Sequence, residues 1–519
     1  MAHASNITKL PGEVLAKLIG QVYSDPQVPV SNPTVPTWQE PPHPLAETQS
    51  DNLSPAIDFA IIGSGITGCS VAKHLLEDSR SANRSVTVFE ARTLTSGATS
   101  RNAGFLLSHI PSDFKDMVEI FGNKSAIGIA KLCQRTVKGM KQLAESLGPD
   151  TLAASEKRPV RAILSFSEKE VMKAALESIA LYEEIFPEEK GSFSTITPET
   201  LDKVYQVKGF AGALATDGEV LWPYRLVTRI FADLLRRYSS RFSIETKTPV
   251  TSIAYSPTTN DKYPFILTTP RGVVRAGQVL HCTNAWGSHL VPNLRGKILP
   301  TRHINSCQRP GPKFPKLGNK LCWMWFILPS YDPASGIVDT GLYYMQQNGE
   351  THDLFFGGNR AHIEDIINAD DSIVSLVQGT QVSTLLPKLF NRRWDNPATG
   401  EVQSSVVDKV WSGIIGATPD HLPLVGSLPA SITGRGEGEW IAAGYNGYGM
   451  VQCLSTGEAL ARMALGDPQP VWLPDMLLPS EERLTDEARM GLEAALSRTL
   501  NITYNSMKQI MRGRYNYTY

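Results

Sequence analysis

The sequence predicts an α/β fold in which a Rossmann-like domain is interleaved with an antiparallel-sheet domain. The first of three observations is an apolar run, Phe59 to Ile62, that stops abruptly at glycine and is typical of a short buried strand. The second is Gly63-Ser64-Gly65-Ile66-Thr67-Gly68, which matches G-x-G-x-x-G and is followed by apolar residues at helical spacing. The third is a second strand, Val86 to Phe89, that ends at Glu90, 22 residues beyond Gly68. Together they predict a βαβ unit that binds a dinucleotide.

Each glycine of this motif has a physical role. Gly63 permits a tight turn, Gly65 lets the backbone approach a pyrophosphate, and Gly68 allows the helix to pack closely on the strand. The helix that begins here turns free N–H groups and the positive end of its dipole toward the phosphates. The carboxylate of Glu90 can accept hydrogen bonds from an adenosine ribose. The motif alone leaves both FAD and NAD open as the cofactor.

The composition excludes several classes of function. Lysine plus arginine number 50 and aspartate plus glutamate number 51, so no net field attracts nucleic acid or an anionic membrane, and we expect small-molecule partners. The six cysteines are scattered without a C-x-x-C, so we predict reduced thiols in a cytoplasmic protein, with no metal site and no disulfide framework. We expect neither a secretory signal nor a membrane span, because no stretch has the required apolar length.

Two further stretches have distinctive compositions. Residues 300–358 are rich in aromatic side chains, which favour broad antiparallel strands that roof a pocket. Residues 25–45 hold prolines too densely for a helix or a central strand. This arm either lies across the protein surface through Val35, Trp38 and Leu45 or forms a disordered leader.

A second glycine cluster, between Trp411 and Met450, makes the pattern more specific. With this cluster, the chain resembles the D-amino-acid oxidase-like family of FAD-dependent oxidoreductases, which includes sarcosine, glycine and gamma-glutamylputrescine oxidases. The resemblance spans roughly residues 57–470 and rests on the motif at 58–68 and on the stretches GATSRNAG, WSGIIGATPDHLPLVG and AAGYNGYGM. It implies FAD as the cofactor and a Rossmann-like FAD-binding domain interleaved with an antiparallel-sheet (α+β) substrate domain.

The resemblance also suggests how the domains alternate along the chain. We expect a Pro-rich arm at 1–54, an FAD-binding domain formed by 55–150, 212–299 and 406–475, a substrate domain formed by 151–211 and 300–405, and a helical tail at 476–519.

A set of cofactor-binding residues follows from the same resemblance. It comprises the pyrophosphate loop, the ribose acid with its neighbours, a loop beside the flavin, a backbone contact to adenine, and a loop near the flavin O2 edge. In that order these are Gly63, Ser64, Gly65, Ile66, Thr67 and Gly68; Glu90, Ala91 and Arg92; Gly97, Ser100, Arg101, Asn102 and Gly104; Val250; and Asn446, Gly447, Tyr448, Gly449 and Met450. A helix beginning near Gly449 would stabilise the negative charge that hydride transfer leaves near flavin N1 and O2. Asn102 either contacts the flavin or only caps a turn.

The resemblance further implies noncovalent FAD. Phe105 stands where many relatives carry a histidine that links to the flavin, which leaves Cys307 and Cys322 as the alternative attachment points.

The candidate catalytic residues are Arg302, Trp323, Tyr343 and Tyr344. Arg302 either binds a substrate carboxylate through its planar fork or makes a structural contact. The three aromatic residues, together with Trp222, Tyr224 and Trp325, either surround a substrate amine or lie in the core.

The resulting hypothesis is an FAD enzyme that oxidises a C–N bond. Hydride would pass from the carbon next to a neutral amine to flavin N5, and water would hydrolyse the imine. Oxygen is the expected acceptor, with release of hydrogen peroxide. Two alternatives stay open, a flavin-binding regulatory or interaction protein without turnover and a tailoring oxidase of a secondary metabolite.

Overall fold

The computed structural model describes residues 10–257, 262–311, 314–390 and 406–500. The helices are α1 (Gly12–Val22), α2 (Ile66–Glu77), α3 (Ile110–Ser146), α4 (Pro149–Ala154), α5 (Lys169–Ile185), α6 (Pro198–Lys203), α7 (Pro223–Arg237), α8 (Gly287–Leu290), α9 (Leu376–Leu389), α10 (Ala430–Thr433), α11 (Cys453–Ala464), α12 (Glu481–Thr485), α13 (Glu487–Met490) and α14 (Leu492–Leu500). Within the described ranges, no helix has both the length and the apolar character needed to span a bilayer.

The strands of these ranges form two sheets. They are β1 (Ala56–Ile62), β2 (Val86–Phe89), β3 (Phe105–Leu106), β4 (Arg158–Phe166), β5 (Phe193–Ile196), β6 (Gly212–Val220), β7 (Phe242–Glu245), β8 (Ser252–Tyr255), β9 (Phe265–Thr269), β10 (Gly272–His281), β11 (Leu299–Arg309), β12 (Leu321–Phe326), β13 (Ser330–Asp332), β14 (Ile337–Gln347), β15 (Leu354–His362), β16 (Val406–Ala417), β17 (Leu424–Ser427) and β18 (Glu439–Ala443).

The first sheet has a parallel centre, in the order β17-β18-β10-β1-β2-β7, and β9 and β8 extend it from β10. Strand β1 lies between β2 and β10, and Ile62 is opposite both Phe89 and His281. The carboxyl ends of these three strands are therefore level, which brings the turns at Gly63, Glu90 and Cys282 to one edge. This is the ligand-binding edge of a Rossmann-like sheet.

Helix α2 covers this sheet together with α11. The two helices approach closely, because a Cβ on Gly457 would lie 2.6 Å from the Cβ of Ser70. Val71, Leu75 and Leu460 are fully buried in the shared core. The contact fixes the start of α2 against the C-terminal part of the chain.

The second sheet has the order β16-β11-β15-β14-β12-β4-β6-β3, with β13 beside β14 and β5 beside β6. Its pairs are antiparallel except β4 with β12. Helix α9 packs against β11 and β15. Since side chains alternate between the faces of a strand, neighbouring residues of β11 or β14 lie on opposite sides of the sheet.

The predicted α/β fold is confirmed. Strands β3, β6 and β16 belong to the second sheet, although the predicted FAD-binding segments 55–150, 212–299 and 406–475 include them. The domain boundaries stay predictions. Helices α12 to α14 lie within the predicted helical tail at 476–519, and residues 501–519 of that tail lie outside the described residues.

The arm is packed on the protein rather than extended from it as a leader. Trp38 is buried against Trp222, Phe355 and Trp411, and its ring stacks on that of Phe355 with centroids 4.0 Å apart. Trp222 donates a hydrogen bond from Nε1 to the carbonyl of Trp38 at 2.6 Å. Of the predicted contacts, Trp38 is therefore the anchor, whereas Val35 is exposed.

Candidate functional site

A long cavity runs from the carboxyl edge of the first sheet to the face of the second. Its lining includes the glycine turn, the end of β2, the loop after β10 and the start of the C-terminal glycine loop, together with residues of the arm and of β11, β14 and β16. The sequence-predicted residues that line it are Gly63, Ser64, Gly65, Ile66, Thr67, Glu90, Ala91, Arg92, Gly97, Arg101, Asn102, Val250, Gly447, Gly449, Met450 and Tyr344. One cavity thus joins most of the cofactor candidates with one catalytic candidate.

The glycine turn has the geometry that its spacing predicts. Gly63 has φ +109°, and a Cβ there would lie 2.5 Å from the carbonyl oxygen of Cys282. A Cβ on Gly68 would lie 2.0 Å from the carbonyl oxygen of Gly63, so this glycine allows the helix to pack on the turn and does not itself line the cavity. Gly65 faces the cavity, and the N–H of Ile66 donates to Thr99 Oγ1 at 3.0 Å.

Glu90 closes the edge of the turn beside β2. Its carboxylate accepts hydrogen bonds from the N–H of Ser64 at 3.1 Å, from Ser64 Oγ at 2.6 Å and from the N–H of Arg92 at 3.0 Å. The side chain is buried and lines the cavity. Arg92 directs its guanidinium elsewhere, because Nη1 donates to both oxygens of the buried Asp371 at 2.9 Å.

In the loop 97–104, Arg101 is a buried cation beside the cavity. It donates from Nη1 to the carbonyl of Ser412 at 2.7 Å and from Nε to that of Ser96 at 2.9 Å, and Asp371 lies 3.4 Å from Nε. Burial lowers the pKa of Arg101 to about 10, although Asp371 opposes this shift. The guanidinium therefore stays charged at neutral pH.

The other residues of this loop hold its shape. Asn102 lines the cavity and also closes the loop, since Nδ2 donates to the carbonyls of Ala98 and Thr99 at 3.0 Å. Ser100 and Gly104 do not line the cavity: Ser100 Oγ accepts from Gln39 Nε2 at 2.6 Å, and Gly104 turns at φ +75°. Both are structural residues of the loop.

The C-terminal glycine loop lines the cavity with Gly447, Gly449 and Met450. Asn446 has φ +55°, and its Oδ1 accepts from the N–H of Thr418 at 2.8 Å, so it builds the loop without lining the cavity. Tyr448 also lies outside the lining and stacks on His109 at 3.4 Å between ring centroids. Helix α11 begins at Cys453, after a 3₁₀ turn at Gly449–Val451. A 3₁₀ turn therefore occupies the position near Gly449 where the sequence predicted the start of a helix, and the helix itself begins four residues later.

The residues around the cavity fit FAD. Within the described chain, six buried polar atoms of cavity-lining residues have no hydrogen-bond partner: Arg92 Nε, Arg101 Nη2, Thr283 Oγ1, Trp286 Nε1, His289 Nε2 and Asn305 Oδ1. Buried polar atoms are normally paired, so these positions are suited to a polar ligand. Ile66 and Thr67, the first residues of α2, line the same cavity, and the N-terminus of a helix is suited to a pyrophosphate.

Among the catalytic candidates, Tyr344 lines the cavity and Tyr343 does not. The Tyr343 hydroxyl donates to Asp339 Oδ2 at 2.7 Å and accepts from Gln381 Nε2 at 3.0 Å, on the side covered by α9. Trp323 is buried among Phe314 and Phe390 on that same side. The structure therefore corrects the assignment of Tyr343 and Trp323, which are core residues because β12 and β14 turn them away from the cavity.

Arg302 also requires correction. It is buried, with Nη2 3.5 Å from Asp365 and Nη1 donating to the carbonyl of Asp370 at 3.3 Å. The cavity is lined instead by His303 and Asn305, which alternate with Arg302 along β11. The position of Arg302 therefore supports a structural contact rather than binding of a substrate carboxylate.

The remaining aromatic candidates are core residues as well. Trp222 and Tyr224 pack with Trp38, and Trp325 packs with Phe356. Cys307 and Cys322 are buried and do not line the cavity, whereas Cys282 and Cys453 do. Burial raises the pKa of each cavity-lining thiol, so neither is a thiolate at neutral pH.

The predicted site did not include Asn305, the arm residues 27–29 or His303, the neighbour of Arg302, although all of them line the cavity. His303 and Asn305 are two residues apart, which places them on one face of a strand. The spacing indicates that the two side chains share a face, but it does not indicate whether that face lines the cavity.

The fold and cavity define an FAD-binding oxidoreductase in which a Rossmann-like sheet holds the nucleotide and a second sheet covers it. A family model described as FAD dependent oxidoreductase matches residues 58–463. The chain belongs to this family, and FAD is its cofactor.

Solved structures show the same fold. Glycine oxidase from Geobacillus kaustophilus is 18% identical with a TM-score of 0.61, over 82% of this chain and 99% of that one. L-Amino acid deaminase from Proteus vulgaris is 16% identical with a TM-score of 0.59, over 84% and 99%. Iminodiacetate oxidase from Chelativorans sp. BNC1 is 16% identical with a TM-score of 0.58, over 80% and 96%. A comparison with curated protein sequences gives no significant match.

Proposed function

We propose that the protein oxidises a C–N bond of an amine or amino-acid-like substrate, with oxygen as the electron acceptor and hydrogen peroxide as a product. The observation that carries this proposal is the chemistry of the cavity where it meets the second sheet. His303, Asn305 and Tyr344 supply polar groups there, among the apolar side chains of Ile414 and Met450. Such a surface suits a small ligand that needs a few oriented hydrogen bonds.

His303 is neutral at physiological pH. Burial, and to a lesser extent the positive charge of Arg498, lowers the pKa of His303 to about 4. The unprotonated ring nitrogen of its imidazole can accept a hydrogen bond from a substrate N–H. The ring therefore favours an amine without adding a second positive charge.

Asn305 offers a further acceptor. Its Nδ2 donates to the carbonyl of Arg101 at 3.0 Å, which leaves Oδ1 buried without a partner among the described residues. The Tyr344 hydroxyl lies 3.5 Å from the same Nδ2, and burial raises the pKa of this hydroxyl above its usual value. Asn305 Oδ1 and His303 thus form a pair of neutral acceptors for a substrate nitrogen.

Among the described residues that line the cavity, Glu90 supplies the one carboxylate, and it lies beside the glycine turn. The second-sheet end therefore has no acidic general base in its described lining. FAD, when bound, accepts the hydride and returns the electrons to oxygen. The task left to the side chains is to hold the substrate carbon in position, keep the nitrogen neutral and exclude water.

The proposal is tested by mixing the purified holoenzyme anaerobically with amines and amino acids and recording the loss of visible flavin absorbance in single-turnover mode. We expect bleaching by at least one such compound and hydrogen peroxide after admission of air. Bleaching by alcohols or hydroxy acids alone would overturn C–N oxidation. Bleaching without peroxide would retain C–N oxidation and reject oxygen as the acceptor. No bleaching by any donor would favour the flavin-binding protein without turnover.

The six cysteines are buried and unpaired. This supports the proposal that the protein acts in a reducing compartment such as the cytoplasm.

A further inference from the structure

The N-terminal arm reaches the cofactor cavity. Residues 27–29, Gln-Val-Pro, line it together with Glu90, Val250 and Leu290. The family match begins at residue 58, so this wall lies outside the matched part of the chain. We call residues 25–34 the strap.

The strap is held at its first end by Asp25. Its Oδ1 accepts a hydrogen bond from His289 Nδ1 at 2.9 Å, and its Oδ2 accepts from Arg295 Nη2 at 2.7 Å. The N–H of Gln27 also donates to Asp25 Oδ1 at 2.8 Å, and Gln27 has φ +58°. One carboxylate therefore both shapes the turn at Gln27 and ties it to the segment that follows β10.

The second end of the strap is held by Thr34. Its N–H donates to the carbonyl of Asp371 at 2.9 Å, and its Oγ1 accepts from the N–H of Ser412 at 3.0 Å. Arg101 Nη1 lies 3.3 Å from the same hydroxyl. With three prolines between residues 25 and 34, the strap loses little backbone freedom when it is ordered.

The strap lies over the adenosine end of the cavity. Leu290 follows His289, and it packs in one apolar cluster with Val250 and Phe89. Phe89 ends β2 and precedes Glu90, the acid that a Rossmann-like fold places at the adenosine ribose. The anchor on His289 therefore places the first end of the strap at the nucleotide end, whereas Thr34 holds the second end on β16 of the second sheet.

We propose that this strap is a binding element for the adenosine half of FAD, and that the Asp25 anchor must open before FAD can leave. Val28 and Pro29 supply apolar contact, while the pair Asp25–Arg295 sets how often the strap opens. The strap retains the cofactor by slowing its release.

The first test measures the release of FAD from the holoenzyme, followed by the rise of free-flavin fluorescence after dilution. Asp25→Asn removes the charge-assisted hydrogen bonds, and we expect release roughly tenfold faster. Val28→Gly removes a cavity contact and should act in the same direction. Val35→Ala is the matched control, because Val35 lies on the same arm and is exposed. Its release rate should equal that of the parent.

Salt separates the anchor from a general loss of stability. High ionic strength weakens a partly exposed ion pair, so it should speed FAD release from the parent protein and have a smaller effect on Asp25→Asn. An equal salt response in both proteins would overturn the role of the anchor. Unchanged release in both Asp25→Asn and Val28→Gly, at an unchanged melting temperature, would overturn the strap itself.

The second test locates the contact on the ligand and needs no substrate. Hydrogen exchange of the backbone amides of residues 27, 28 and 30 is compared in the flavin-free chain, with ADP, and with FAD. We expect both ligands to slow exchange relative to the flavin-free chain. Slower exchange with FAD alone would show that the strap does not contact the adenosine half. Because no amine is present, either outcome is independent of the C–N oxidation proposal.

Discussion

The two ends of the cavity are built in different ways. At the nucleotide end the backbone forms the site. An added Cβ would lie 2.5 Å from a carbonyl oxygen at Gly63 and 2.0 Å from one at Gly68, so only glycine fits at these positions. At the second-sheet end, side chains form the site, and the choice between neighbours decides it: His303 lines the cavity while Arg302 lies on the other face. A site formed by backbone can be predicted from a few neighbouring residues, whereas a site formed by side chains depends on how strands distant in sequence pair.

The largest effect should come from breaking the backbone site at Gly68. An added Cβ would lie 2.0 Å from the carbonyl oxygen of Gly63, which cannot move without shifting β1. Gly68→Ala should therefore destabilise the fold by about 3 kcal/mol, measured by chemical denaturation. Gly97→Ala is the control, because an added Cβ there meets no atom within 4 Å. Equal stability of the two variants would show that the turn is not tightly packed.

Gly65→Val should separate cofactor binding from folding. Gly65 faces the cavity, and a Cβ there would lie 3.0 Å from the hydroxyl of Thr99, a side chain that can rotate. We expect a folded protein that is purified without flavin, because the branched side chain occupies the place of the pyrophosphate. The measurement is the flavin-to-protein absorbance ratio beside the circular-dichroism spectrum. A yellow variant would place the pyrophosphate elsewhere.

Glu90→Ala should weaken FAD by about 1.5–3 kcal/mol, the usual contribution of a hydrogen bond to a charged group. Glu90 also accepts from Ser64, so part of this loss comes from a less ordered turn. Ser64→Ala, which keeps the carboxylate, measures that part separately. Titration of flavin-free protein with FAD gives both values. If Glu90→Ala binds FAD as tightly as the parent, the acid does not contact the ribose.

This contrast explains what could be predicted from the sequence. The βαβ unit and its dinucleotide-binding turn follow from glycine spacing and short apolar runs, which act over a few residues, whereas FAD and the other cofactor loops were implied by the resemblance to a family. The face of β14 that lines the cavity cannot be predicted in this way. Tyr343 and Tyr344 are equally plausible from the sequence, and only the pairing of β14 with β12 and β15 shows which of them reaches the cavity. The same limit applies to Arg302 and His303 on β11. The arm was ambiguous because its anchors, His289, Arg295 and Asp371, are hundreds of residues away.

The two tyrosines test this difference of faces directly. Tyr343→Phe removes hydrogen bonds to Asp339 and Gln381 and should cost about 1 kcal/mol of unfolding free energy, with little change in turnover. Tyr344→Phe should leave stability nearly unchanged and alter turnover of the amine, because its hydroxyl lies at the cavity beside Asn305. Thermal melts and single-turnover bleaching measure both properties. The reverse pattern would show that the substrate binds on the α9 side of the sheet.

The smallest expected effect concerns which group sets the pH profile of the reaction. An alkyl amine has a pKa near ~10, so the rate of anaerobic bleaching should rise with pH and then level as the neutral amine becomes available. His303 does not titrate in this range, because burial lowers its pKa to about 4. Below pH ~6.5 the unfolded chain takes up a proton at His303 that the folded protein does not. The contribution of His303 to the free energy of unfolding therefore falls as the pH drops from ~6.5 toward 4, and it is constant above ~6.5. His303→Gln, which keeps a hydrogen-bond acceptor, should therefore lower the rate while the rising limb stays at the same pH, and it should remove part of the acid-induced loss of stability. A limb that disappears in His303→Gln would mean that the imidazole, rather than the substrate nitrogen, loses the proton before hydride transfer.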